Sequence, residues 1–118
     1  MTEEDSKFTI GNLKTLVKEF ISQRKWERYH NPKDLAESIS VESAELLEIF
    51  QWKSQEQSWS LAMSEKGRTR VKEELADVLI YCISLANVLG LDINTIVREK
   101  IKKNSDKYPT NGSENLFG

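Results

Sequence analysis

A chain of 118 residues has room for one domain and one core, and 38% apolar content is lean for a monomer that must bury everything alone. A net charge of -2 and a pI of about 5.5 exclude nucleic-acid binding by a basic surface. One cysteine, Cys82, excludes an internal disulfide and suits a reducing cytoplasm, and its apolar surroundings in sequence make it an expected core residue.

Prolines and glycines fall at segment edges and no stretch alternates with period two, so the chain reads as all-α. The polar, acidic start Met1 to Asp5 does not resemble a secretory signal. A first helix is expected over Ile10 to Lys25, with Leu13, Leu16, Val17, Phe20 and Ile21 on its apolar face. Trp26 to Asn31 connects it to a second helix, Pro32 to Lys53, which Asn31 can cap while Pro32 takes the first turn. The stripe Leu35, Ile39, Glu42, Leu46, Ile49 is a bundle seam with a glutamate at its centre. Ser54 to Gly67 reads as a polar loop anchored by Trp59 and Met63. The third helix, Arg68 to Leu89, carries the seam Val71, Leu75, Val78, Cys82, Leu85, Leu89, and Ile80, Ile83 and Val88 make its other faces apolar too. A helix apolar all round is buried all round, which in so small a protein implies a partner subunit. The charge-free run Val78 to Leu91 is shorter than the roughly 20 residues a bilayer requires, so no membrane partner is expected. Gly90 is a left-handed C-cap, Asp92 caps a fourth helix over Ile93 to Lys107, and Pro109 closes the domain. The expected architecture is an antiparallel four-helix bundle over residues 1–109, assembled into a homo-oligomer. Residues 110–118 are expected to be a disordered tail, partly like a fusion-tag scar.

The chemistry lies in two acid pairs, Glu42-Ser43-Ala44-Glu45 and Glu74-Leu75-Ala76-Asp77. Spacing of i, i+3 places both acids of a pair on one helix face. The plain alternative is solvated acids paired with lysines. Glu42 nevertheless occupies a seam position, and a buried carboxylate must be protonated, paired or metal-bound. Transition-metal sites recruit His or Cys, and the chain has one of each, far apart in sequence. An all-oxygen donor set favours Mg²⁺, or Mn²⁺, with substrate phosphates as further ligands. Glu42 or Glu45 could then orient an attacking water. Trp26 and Trp52 can pack in a core or stack on a base. Tyr81 stands one turn beyond Asp77, and His30 reads as a capping or surface group. Lys100, Asn104 and Lys107 share one face of the fourth helix, either solvated or bound to phosphates.

The two acid motifs resemble the E-x-x-E…E-x-x-D signature of the MazG-like, all-α nucleoside triphosphate pyrophosphohydrolases. Leu46-Leu-Glu-Ile-Phe-Gln-Trp52, Glu73-Glu-Leu-Ala-Asp-Val-Leu-Ile-Tyr81, Trp26-Glu-Arg-Tyr-His30 and Asn104-Ser-Asp-Lys-Tyr-Pro109 look most like the dCTP pyrophosphatase branch. The resemblance covers about residues 10–109. It implies Mg²⁺-dependent splitting of a nucleoside triphosphate into monophosphate and pyrophosphate, in nucleotide-pool cleaning. It implies Glu42, Glu45, Glu74 and Asp77 as metal ligands, Trp26, His30, Trp52 and Tyr81 around the nucleotide, and a homo-oligomer, commonly a tetramer. Some dCTP-preferring relatives carry histidine where this chain has Val17, and Ser54 to Gly67 is this chain's own, so dUTP or another triphosphate stays open as substrate. The rival from another class is a non-catalytic helical interaction module.

Overall fold

Each α-helix begins at a side chain that replaces a missing backbone partner. Thr2, Thr9, Asn31, Ser54, Ser64 and Asp92 each accept a hydrogen bond from the backbone N–H three residues on. The computed structural model describes residues 1–110, so the expected tail, apart from Thr110, lies outside the described residues. The elements are α1 (Glu3–Lys7), α2 (Ile10–Gln23), a 3-10 turn (Glu27–Tyr29), α3 (Pro32–Phe50), α4 (Gln55–Met63), α5 (Glu65–Leu89) and α6 (Ile93–Lys107). The all-α class is as expected, with six described helices rather than four.

The expected loop Ser54 to Gly67 is instead α4 and the first turn of α5. Ser54 and Gln57 form a reciprocal capping box that starts α4, and Ser64 ends α4 while capping α5. The helices join so tightly that a Cβ at Gly67 would overlap the Leu61 carbonyl oxygen. Gly67→Ala is expected to destabilise the fold by about 1–3 kcal/mol, the usual cost of overpacking, read as a lower urea midpoint at unchanged m-value. A neutral midpoint would mean that the junction can open. At the far end of α5, Gly90 adopts φ +65°, as expected of a left-handed cap, and Leu91 N–H donates to the Ala86 carbonyl at 2.9 Å.

Helix α5 is the hub. Helix α3 packs on it most extensively, α2 and α4 also pack on it, and α6 packs on no helix to a like extent. Lys14 Nζ donates to the Leu91 carbonyl at 2.6 Å and Asn87 Nδ2 donates to the Lys14 carbonyl at 3.0 Å, pinning α2 to the end of α5. The apolar core is Val17, Ile21, Leu35, Ile49 and Ala86. That is small. Leu13, Leu16 and Phe20 of α2 and Leu75, Leu79 and Ile80 of α5 stay exposed. With Ile10, Val17, Ala76, Ile83 and Ile93, most of them line an apolar groove of about 640 Å³. The Cα radius of gyration, 17.1 Å, exceeds the roughly 13–14 Å of a compact domain of this length. Cys82 is exposed rather than in the core. Its seam is only half covered within one chain: Val71, Val78 and Leu85 are partly buried, while Leu75, Cys82 and Leu89 are not. Among the described residues no single helix is long and apolar enough to cross a membrane.

Candidate metal centre

The face that joins α3 to α5 carries acids at its middle. Glu42 and Glu45 rise from α3 and Glu74 from α5, and one carboxylate oxygen from each lies within 4.8 Å of the others. Asp77 falls outside that triad, yet its charge acts on both Glu42 and Glu74. Glu42 and Glu74 are half-buried, and each holds one oxygen, Oε2, sealed from solvent with no hydrogen-bond partner. The lysine-paired alternative fails on this geometry. The ion pairs among the described residues are Lys7–Glu3 and Lys33–Glu37, which leave these acids without one.

The electrostatics follow. Burial first, then contact with the Glu45 carboxyl and the charges of Glu45, Asp77 and Glu74, push the Glu42 carboxyl up to about 7. Burial and Glu45, then the Asp77 charge, push Glu74 up as well, with Arg70 partly opposing. An acid raised on folding holds its proton where the unfolded chain has lost it. Its stabilising effect is complete below the unfolded value and is lost as pH climbs through the folded one. The metal-free protein is therefore expected to melt at steadily lower temperature as pH rises from about 5 to about 7, falling most steeply midway between the ordinary glutamate value of 4.5 and about 7 and levelling off above that. Thermal melts in chelator across that range check this, and a flat or rising series would contradict it.

Two buried acceptors with no donor, in an all-oxygen cluster, fit a hard divalent cation: it would satisfy both and remove the repulsion. A transition metal that favours nitrogen or sulfur finds no such donor in the cluster.

The other expected site residues are scattered. Tyr81 is half-buried one turn after Asp77 on α5. Trp26 stands before the 3-10 turn, 42% exposed, with its ring edge-on to Phe20 at 5.8 Å and both rings near the Arg24 guanidinium. Trp52 follows α3, 90% exposed, on a backbone with φ +69°. His30 joins a cavity between α2 and α5 that none of the triad acids lines. On α6, Lys100 and Lys107 are exposed and Asn104 is half-buried, and Lys107 lies over the Tyr108 ring at 5.3 Å. Among the described residues none of the three bonds to the acids. Sequence reasoning missed Ser84 and Asn87 in the His30 cavity. Small polar residues inside an apolar helix were the available signal.

Comparison with known proteins fits this geometry. dCTP pyrophosphatase 1 of Rattus norvegicus is 38% identical over 101 residues, which cover 86% of this chain and 59% of the relative. The Homo sapiens protein of that name is 36% identical over the same length and coverage. The chain thus spans about three-fifths of the curated relatives it matches. The crystal structure of a pyrophosphatase from Archaeoglobus fulgidus is 44% identical, superposes with a TM-score of 0.79, and aligns over 85% of this chain and 92% of its own. A MazG-like family model matches residues 37–116, which take in all four acids. The chain belongs to the MazG-like family.

Proposed function

We propose that this chain is a divalent-metal-dependent nucleoside triphosphate pyrophosphohydrolase, converting a (deoxy)nucleoside triphosphate and water to the monophosphate and pyrophosphate. The observation that carries the reading is the cluster of Glu42, Glu45 and Glu74 oxygens within 4.8 Å, two residues of which hold sealed, partnerless oxygens. The names of the rat and human relatives support dCTP, or a modified dCTP, as substrate.

Glu42, Glu45, Glu74 and Asp77 would hold the ion, with Mg²⁺ favoured and Mn²⁺ accepted. When bound, Mg²⁺ supplies charge neutralisation for the triphosphate and its leaving group. Glu45, the exposed member of the triad, would accept a proton from the attacking water, with Glu42 as the other candidate. The water oxygen bonds to the α-phosphorus, the bridging bond to the β-phosphate oxygen breaks, and pyrophosphate departs. Tyr81, Trp26, His30 and Trp52 are assigned to the nucleoside, and Lys100, Asn104 and Lys107 to its phosphates. Because α6 adds no bond to the acids within its own chain, its basic face is best used across a subunit boundary. The exposed α2–α5 groove supports a homo-oligomer, a tetramer in our reading, in which a second copy covers it. A reducing, cytoplasmic setting suits the single exposed thiol.

The test is product analysis of dCTP, modified dCTP, dUTP and dATP with and without Mg²⁺. Metal-dependent release of monophosphate plus pyrophosphate is expected, fastest for a cytosine base. No turnover with either Mg²⁺ or Mn²⁺ would defeat the reading and favour a helical interaction module.

A further inference from the structure

The acids of α5 share their stripe with a cation. Arg70, Glu74, Asp77, Tyr81, Ser84 and Val88 follow one another at spacings of four and three, so they lie along one helix face. Ser84 and Val88, at one end of that face, line the cavity that His30 joins between α2 and α5. Arg70 stands at the other end, one turn before Glu74, a rise of roughly 6 Å. The acid centre lies between the two ends.

Arg70 is exposed, and among the described residues its guanidinium enters no ion pair and no hydrogen bond. Glu74 lies four residues on, where a helix brings opposite charges together, yet the two side chains do not pair. The charge of Arg70 still reaches Glu74 and favours its ionised form. The other charges that chiefly act on Glu42 and Glu74 are carboxylates. Arg70 is thus a cation beside the acids with all its donors free. A solvated arginine on a helix surface is the plain alternative. Two things set this one apart. The acids and a polyphosphate together carry more negative charge than one divalent ion offsets, so a cation at the edge of the cluster has work to do. The stripe also has a direction. His30 is assigned to the nucleoside, which puts the nucleoside toward Ser84 and Val88. The phosphates then run past the acids, and the last of them reach toward Arg70.

Resting on the nucleotide reading above, we propose that Arg70 binds the terminal phosphates of the substrate and holds the pyrophosphate that leaves. A planar guanidinium meets two phosphate oxygens at once, which a point charge does not. Arg70 forms and breaks no covalent bond. As the bridging bond to the β-phosphate oxygen breaks, negative charge gathers on that phosphate, and the guanidinium stabilises it there. Because no carboxylate holds Arg70, it gives up no partner to do so.

The experiment is equilibrium binding, in Mg²⁺, of the two halves of the reaction. One probe is pyrophosphate. The other is a deoxynucleoside monophosphate: dCMP, dUMP or dAMP, whichever wild type binds most tightly. Mg²⁺ alone is the control. Wild type is compared with Arg70→Gln and Arg70→Lys. Both variants should melt with wild type, because the side chain is exposed and unpaired. Arg70→Gln is expected to weaken pyrophosphate roughly tenfold and to leave the monophosphate within about twofold. Arg70→Lys keeps the charge without the fork and should recover part of the loss. Mg²⁺ alone should bind Arg70→Gln no more weakly than wild type, because a charge that repels the ion has gone. If Arg70→Gln binds pyrophosphate as wild type does, the proposal is overturned while the nucleotide reading stands. Equal weakening of both probes would also overturn it, since the charge would then act on the whole site and not on the terminal phosphates. Wild type that binds the monophosphate but no pyrophosphate would sink the proposal as well. Failure of wild type to bind any monophosphate, in Mg²⁺ or Mn²⁺, would overturn the nucleotide reading and the proposal with it.

Discussion

Glu42→Gln is expected to lose turnover at least about 100-fold while the metal-free protein melts at a higher temperature than wild type. The first half follows from the proposed ligand role: loss of a partner one shell further out typically costs roughly 10–100-fold, and a direct ligand should cost more. The second half follows from the triad. Glu42 holds a sealed oxygen beside the Glu45 carboxyl and within reach of the Glu74 and Asp77 charges. Glutamine keeps the volume and removes the charge, so the repulsion drops. The gain should be larger at pH 8, where Glu42 is ionised, than at pH 6, where it is mostly protonated already. Added Mg²⁺ should stabilise wild type and do little for the variant. Paired melts and turnover assays read both halves. A variant as active as wild type would remove Glu42 from the site, and one that melts lower in chelator would mean the carboxylate is structurally satisfied after all.

Leu16→Asp is expected to convert the assembled protein to smaller species, read by sedimentation velocity. Leu16 is 54% exposed in the single chain and lines the α2–α5 groove, on a helix that carries none of the clustered acids. A carboxylate there costs little while the face is open to water. Covered by a second copy, it would be an unpaired charge in an apolar interface, costing several kcal/mol per copy. Assembly should therefore fail where the fold of one chain does not. A wild-type protein that sediments as a monomer at micromolar concentration would defeat the assembly proposal outright, and an unchanged Leu16→Asp would move the interface elsewhere.

The acids were legible in the sequence because their spacing and their surroundings disagreed. Glu42 interrupts a seam of Leu and Ile, and Glu74 with Asp77 repeats the spacing inside another apolar helix. Helix ends were legible for a local reason: Asn31-Pro32, Gly90 and Asp92 act through their own backbone neighbours. Helix α4 was missed because Trp59, Leu61 and Met63 make no continuous stripe, although Ser54 and Gln57 announce its start. Cys82 was misplaced because periodicity tells which positions can be covered, not whether the covering atoms belong to the same chain. Ser84 lies further out of reach. Its meaning depends on Val17 and Ile21, brought against it by a packing between α2 and α5 that no local pattern encodes.

Trp52 brings two demands into opposition at one position. Its backbone occupies the left-handed region, where glycine rests without penalty and a bulky side chain does not. Replacing it with glycine would relax the chain just past α3 and delete an indole that, in a single protomer, touches mostly solvent. The fold alone therefore gives no reason for a tryptophan here. What the left-handed turn leaves is a large, rigid ring standing out in the open just past α3, where its faces are accessible to whatever meets this end of the helix.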